Sequence, residues 1–220
     1  MIGLVSRVVL FVAALSLLAS SSFAAPVVWS SGAGGNGHTY EFVPLDYTVS
    51  WDQANAAADD STLDDGSVGY LATVTSAEEQ AFIQSAVLPS FGVNRNQVWI
   101  GGRQDPEGEA PSSATAASGW QWMVNVEVAP ESWSYTNWLS ENEPSNEGEI
   151  DERFLTMWVH YYEAGQDRRG KWNDEKDFSP TTARIIGMIV EWSVPSVPEP
   201  ATAALSALGV ALLALYRRRA

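Results

Sequence analysis

The chain has 220 residues, a formal net charge of −15 from 27 acidic against 12 basic residues, ten tryptophans and no cysteine. So acidic a surface repels nucleic-acid phosphates and anionic lipid, which excludes both as partners. Without cysteine there is no disulfide scaffold, so stability must come from an apolar core, and the chain is long enough to bury one.

Residues 1–24 carry Arg7, an apolar run from Val8 to Leu18 and a small-residue exit at Ser22-Phe23-Ala24-Ala25. This is the layout of a cleaved secretory signal, and the run is short for a span of about 20 helical residues. The mature chain is then expected to begin near Ala25 or Pro26, outside the cytoplasm. Removing both ends of the chain takes away Arg7 and three terminal arginines but only one acid, so the mature part is more acidic than the whole.

No internal repeat or long low-complexity tract interrupts residues 28–192, which are read as one domain. Two helices are signalled near its front. Ser50-Trp51-Asp52-Gln53 has capping-box spacing before Ala54, Ala57 and Ala58, and Ser76-Ala77-Glu78-Glu79 has it again before Phe82, Ile83, Ala86 and Val87. From Val98 onward the signals are of strands separated by Gly, Pro and Ser stretches: Val98-Trp99-Ile100, Trp120-Gln121-Trp122, Phe154 to Val159 and Arg184 to Trp192. Two helices followed by strands and long loops predict an α+β domain. Trp99, Trp120 and Trp192 are expected as core anchors.

Between these strands lies a set of oxygen-bearing side chains: Glu143-Pro144-Ser145-Asn146, then Glu152, then Trp172-Asn173-Asp174. A hard cation such as Ca²⁺ takes six to eight oxygens from carboxylates, amide carbonyls and water. Glu143, Glu152 and Asp174 supply three carboxylates, while Ser145 or Asn146 and Asn173 supply neutral oxygens. An under-filled shell of this kind leaves positions for two hydroxyls of a sugar. Glu152 and Asp174 are expected at a loop-lined site outside the core. The connection from His160-Tyr161-Tyr162 to Gly170 is long, with Gly165 and Gly170 as turn residues, and one of its aromatics either packs or stacks on a sugar.

The chain ends in a Pro-rich linker, residues 193–200, which holds Pro198-Glu199-Pro200. Then come an apolar stretch from Ala201 to Tyr216 and the cluster Arg217-Arg218-Arg219. These parts resemble, in order, the C-terminal PEP sorting signal of Gram-negative bacteria. The resemblance implies that the helix within 201–220 enters the membrane, that the arginines stop translocation, and that processing releases the protein to the cell surface or extracellular matrix. A permanent single-span anchor is the alternative.

The domain itself resembles the C-type lectin-like family. The similar stretches are Gly69 to Glu79, Trp99-Ile100-Gly101-Gly102, Ser134-Tyr135-Thr136-Asn137-Trp138, Glu143-Pro144, Glu152 before the strand at Phe154, and Trp172-Asn173-Asp174. The resemblance implies two helices with a small mixed or antiparallel sheet and a long loop region, here without disulfides. It implies a calcium site on Glu143, Ser145, Glu152, Asn173 and Asp174, with Pro144 cis, and sugar contacts from the same residues together with Asn146. One position departs: Glu-Pro-Ser-Asn stands where mannose- and glucose-binding members have Glu-Pro-Asn. Serine is shorter and has no amide N–H₂ for a sugar hydroxyl, so either Asn146 moves into the gap or calcium is held less tightly. Asp105 and Glu109 resemble the start of an accessory calcium site, but Arg153 stands where a further acid belongs.

The expected function is that of an exported lectin acting in adhesion, with Ca²⁺ as cofactor and a glycan or exopolysaccharide as partner. Membrane contact comes only through the sorting helix before processing. A calcium-free adhesion module that binds protein or matrix is the rival. An enzyme reading would make Glu143 with Asp174 or Glu152 a glycosidase pair at about 5–9.5 Å. Carboxylates flanked by Trp-Asn-Asp and Glu-Pro argue for shared metal ligation instead, and no Gly-x-Ser-x-Gly elbow or zinc-spaced His pair is present.

Overall fold

The structure, a computed structural model, describes residues 25–46, 48–104, 116–146, 152–177 and 184–195. The secretory segment, Asp105 and Glu109, and the sorting tail lie outside the described residues. Among the described residues, ten strands and two α-helices follow in chain order. They are β1 (Val27–Val28), β2 (Thr39–Pro44), α1 (Trp51–Asp59), β3 (Val68–Leu71), α2 (Ala77–Phe82), β4 (Asn96–Gln104), β5 (Trp120–Trp122), β6 (Phe154–His160), β7 (Tyr162–Glu163), β8 (Gln166–Asp167), β9 (Trp172–Glu175) and β10 (Arg184–Ser193).

The main sheet runs β1-β2-β10-β4-β6-β9, with β3 on β10 and β5 on β4. The β10–β4 pairing is parallel and the others are antiparallel, so the sheet is mixed. Both capping signals start helices. At α1 the box is complete: Ser50 Oγ accepts from Gln53 N–H, and the Gln53 side chain returns to the Ser50 amide. At α2 only half forms. Ser76 Oγ accepts from the Glu79 amide, but the Glu79 side chain turns inward and is 1 % exposed. α2 is also short, passing into a π-turn over Ile83–Val87.

β2 and β3 were not legible in the sequence. In β2, Tyr40 and Phe42 face the core while Glu41 and Val43 do so only partly, a period-two pattern over just six residues. Gly101 shows why the Trp-Ile-Gly-Gly run is glycine at this point: a Cβ there would stand 2.4 Å from the Leu71 carbonyl oxygen. That close approach lets Gly101 N–H donate to the Ala72 carbonyl, joining β4 to the connection before α2.

Trp99, Trp120 and Trp192 are buried, as expected. The larger aromatic assembly surrounds Trp172, which is fully buried. Trp122, Trp133, Tyr135 and Trp138 have ring centroids 5.6–5.9 Å from it. Its indole N–H donates to Gln80 of α2 at 2.8 Å. Along its backbone, Trp172 N–H donates to Asn137 O and Leu139 N–H donates to Trp172 O, both at 2.9 Å. One residue thus stitches the long loop 131–146 to both β9 and α2. Truncation of a buried aromatic at such a site costs about 3–5 kcal/mol. Trp172→Ala is therefore expected to lower the unfolding free energy by about that amount in denaturant titration, far more than Tyr162→Ala on the exposed hairpin of β7 and β8.

Candidate functional site

Asp174, two residues beyond this anchor on β9, reaches the turn at the end of the long loop. Its Oδ2 accepts the backbone N–H groups of Ser145 at 2.8 Å and Asn146 at 2.9 Å. The Glu143-Pro144 peptide is cis, as the resemblance implied. Asn146 sits at φ 47° and is buried, and its Oδ1 accepts the Glu152 amide at 3.0 Å. Asp174 therefore sets the turn, and Asn146 passes that placement on to Glu152.

The remaining Asp174 oxygen is of a different kind. Asp174 Oδ1 and Glu143 Oε2 are buried and, among the described residues, neither meets a hydrogen-bond donor. The two carboxyl groups approach within hydrogen-bonding range of each other. Burial, that contact and the Asp174 charge push the Glu143 carboxyl up to about 7, with a smaller push from Glu152; a Ser145 hydrogen bond acts the other way. Glu175, on the same strand, is likewise raised to about 7, chiefly by burial, while Gln97 Nε2 donates to it at 2.8 Å and offsets part of the rise.

Asn173 completes the arrangement. Its Nδ2 donates to the Asp174 carbonyl at 2.7 Å and lies 3.4 Å from Glu175 Oε1. Both partners are acceptors, so the amide nitrogen must face them, which fixes the side chain and turns Oδ1 the other way. The structure thus brings Glu143, Ser145, Asn146, Glu152, Asn173 and Asp174 to one corner, where β9 meets the loop. The donor set suits a hard cation, because two buried carboxylate oxygens without donors repel each other unless a positive charge or a shared proton stands near them. Asp174, however, is not outside the core: it is 1 % exposed and carries a structural duty besides any ligation.

In the connection after β6, Tyr161 packs on Trp158 at 4.5 Å between ring centroids, while Tyr162 and His160 are exposed. Ala164 and Gly165 make the hairpin turn with positive φ.

A family model described as Lectin C-type domain matches residues 47–183. The chain belongs to the C-type lectin domain family. A second model, the PEP-CTERM protein-sorting motif, matches residues 196–220 and indicates export with sorting to the cell surface. No curated protein matches the chain. Among solved structures it is similar to the C-type lectin CEL-I from Cucumaria echinata, with 17 % identity, TM-score 0.47, and coverage of 71 % of this chain and 90 % of that one. The EPNH mutant of CEL-I gives 18 % identity, TM-score 0.48, and 71 % and 89 % coverage. EMS16, an antagonist of the collagen receptor integrin alpha2beta1, gives 17 % identity, TM-score 0.40, and 72 % and 93 % coverage. Among the described residues no helix is long and apolar enough to cross a membrane.

The two duties of Asp174 separate by substitution. Asp174→Ala strands the Ser145 and Asn146 amides, and an unmet buried donor costs about 1–3 kcal/mol. Thermal or denaturant unfolding should register that loss, whereas Asp174→Asn, which keeps an acceptor for both amides, should recover most of it.

Proposed function

We propose that this C-type lectin domain binds glycans through calcium held by Glu143, Ser145, Glu152, Asn173 and Asp174, and that it acts in adhesion at the surface or in the matrix of a Gram-negative bacterium. The observation that carries the reading is the pair of buried carboxylate oxygens on Glu143 and Asp174 that meet no donor among the described residues, beside Asn173, whose amide nitrogen is held by the Asp174 carbonyl so that its oxygen faces the other way. When bound, calcium would neutralise that pair and offer open coordination positions to two neighbouring sugar hydroxyls. The chain's own residues do the rest. Asp174 and Asn146 hold the turn, and Glu143 and Asn173 would add oxygens of their own to the shell. A single shallow site implies millimolar monosaccharide affinity, about −4.1 kcal/mol, so adhesion would rely on repeated contacts along an exopolysaccharide or other polymer.

Residues 1–24 are proposed as a cleaved secretory signal, 28–192 as the lectin domain, 193–200 as its linker and 201–220 as a sorting helix with its basic tail, removed on processing. Mature surface material analysed by mass spectrometry should then lack Arg217 to Arg219; finding them would mark a permanent anchor. C-type lectin domains are in general not enzymes, and carboxylates poised to share a cation fit binding better than glycoside cleavage.

Calcium titration by calorimetry, with and without a glycan panel, tests the reading. Wild-type protein should bind calcium, glycan binding should vanish with chelator, and Asp174→Asn should lose calcium while staying folded. Glycan or matrix binding that persists in chelator would favour the calcium-free module.

Ser145→Asn restores an amide oxygen and an N–H₂ donor at the position that departs from the mannose- and glucose-binding pattern. One added hydrogen bond of this charge-assisted kind is worth roughly 1.5–3 kcal/mol, so calcium or mannose-type glycan affinity should rise tenfold or more. Because Asn146 Oδ1 is engaged with the Glu152 amide, Asn146→Ala should weaken calcium binding through Glu152 rather than by removing a ligand.

A further inference from the structure

Three strands away from β9, on β10, Glu191 is fully buried at the centre of a second acidic cluster. His38 Nδ1 lies 2.5 Å from its Oε1, and Tyr40 Oη lies 2.9 Å from the same atom. Its Oε2 receives the Thr73 amide and lies 3.0 Å from Thr73 Oγ1. Two more carboxyl groups stand beyond those hydroxyls. Tyr40 Oη is 2.5 Å from Glu79 Oε1, and Thr73 Oγ1 is 2.6 Å from Glu131 Oε2. The other Glu79 oxygen receives the Thr75 amide and hydroxyl.

A hydroxyl has one proton to give. Tyr40 sits between Glu79 and Glu191, and Thr73 sits between Glu131 and Glu191, so in each case a single proton faces two carboxyl oxygens. Both contacts are hydrogen bonds only if one flanking carboxyl brings a proton of its own. Glu191 touches both hydroxyls while Glu79 and Glu131 touch one each. Asn36 Nδ2 adds a donor to Tyr40 Oη at 2.7 Å and lies 3.3 Å from Glu79 Oε1. Two protons placed on Glu79 and Glu131 make all four hydroxyl contacts hydrogen bonds. Glu79 and Glu131 are then the protonated ones, donating to Tyr40 Oη and Thr73 Oγ1, which in turn donate to Glu191.

We propose that this cluster is a proton-operated clamp: protons held on Glu79 and Glu131 tie the N-terminal segment, helix α2 and the root of the site-bearing loop to Glu191 of β10, and the clamp loosens as they leave. His38 and Tyr40 come from the N-terminal segment and β2, Tyr70 from β3, Thr73 and Thr75 from the connection to α2, Glu79 from α2 and Glu131 from the start of the long loop. These, with Glu191 and the Ser193 hydroxyl of β10 beside Tyr70, are the titratable and hydroxyl groups that face one another, and among the described residues no lysine or arginine forms an ion pair with them.

The direction of each titration agrees with the proton count. Burial and then the Glu191 charge raise Glu131 to about 7, and the same causes raise Glu79. Burial alone would lower His38, but the Glu191 hydrogen bond and charge outweigh it and the net shift is upward. A carboxyl with a raised folded pKa keeps its proton where the unfolded chain has released it, so unfolding releases protons and stability falls as pH climbs from about 4.5 towards 7. The His38 contribution is complete below its unfolded value of about 6.5 and is lost as pH rises through its higher folded value. All three slopes have the same sign.

His38, Glu131 and Glu191 also place ligand atoms within 4.8 Å of one another, a geometry open to a divalent cation. Every contact needed to satisfy Glu191 is already present, however, so a proton suffices where a metal would have to displace donors.

The test is the unfolding equilibrium of the mature domain in denaturant from pH 5 to 8, in chelator, for wild type, Glu79→Gln and Glu131→Gln. A glutamine amide donates permanently where the protonated acid does. Each substitution should remove about one proton from the pH dependence of unfolding, flattening it by up to tenfold in the equilibrium constant per pH unit near pH 6. Glu143 and Glu175 titrate in the same window, but they do so alike in all three proteins and cancel in the comparison. Hydrogen exchange at pH 8 should show the amides of Thr73 and Thr75 opening in wild type and protected in the variants. Unchanged slopes with folded variants would overturn the proposal. If either variant fails to fold, a wild-type unfolding curve independent of pH below 7 would overturn it equally. Calcium or zinc added at pH 8 to Asp174→Asn protein should leave its melting temperature unmoved; a rise abolished by Glu131→Gln would make the cluster a metal site and refute the proton assignment.

Discussion

Everything that gives this domain a defined site hangs on the burial of Trp172. The stretch from Met123 to Asn146 has no helix and no extended strand, and with no cysteine in the chain it has no covalent tie either. Ordering some twenty residues of loop costs about 1–2 kcal/mol each in backbone entropy. Trp122, Trp133, Tyr135 and Trp138 offset that cost by closing around one indole. The indole N–H is bound to Gln80 besides, so the cluster has a fixed centre.

Site geometry follows from that centre by strand alternation. With Trp172 pointing into the aromatic cluster, the next side chain along β9, Asn173, turns to the opposite face and is half-buried, and Asp174 returns to the face of Trp172. Asp174 can therefore accept two amides from the loop while its other oxygen stays buried and unpaired. The position that organises the turn and the position that would ligate a cation are one residue, so folding of the loop and preparation of the site are not separable.

Much of this was legible in the sequence because its signals are local. Ser50 and Ser76 announce their helices, and Glu143-Pro144 with Trp172-Asn173-Asp174 marks two segments that the fold brings to one corner. Where the signal depended on tertiary surroundings, the reading fell short. β2 is six residues with mixed polarity, too short to show its period. The depth of Asp174 depends on a loop folding over it. Glu79 looked like the second half of a capping box, yet the hydroxyl of buried Tyr40 and the amide and hydroxyl of Thr75 offered it a better set of partners. Glu131, in a Pro-Glu-Ser stretch, reads as a solvated loop residue; His38 and Glu191 lie 153 positions apart. No spacing rule connects such residues, because only the sheet brings them together.

The two acidic clusters face the same electrostatic problem and meet it differently. In each, carboxyl groups are removed from water and pressed together, which raises the cost of ionising them all. Around Glu191 the fold supplies hydroxyls, an amide and an imidazole, so the charge of one carboxylate is spread over four donors and the cluster can be complete without a cation. At Glu143 Oε2 and Asp174 Oδ1 it supplies none among the described residues. A buried polar atom left without a partner is costly, so the two pockets differ in kind: one is internally satisfied, and the other holds atoms that meet no donor among the described residues. The second kind of pocket lies where β9 meets the loop, beside half-buried Glu143, Ser145 and Asn173, and there the cation proposed above would take the place of the missing donors.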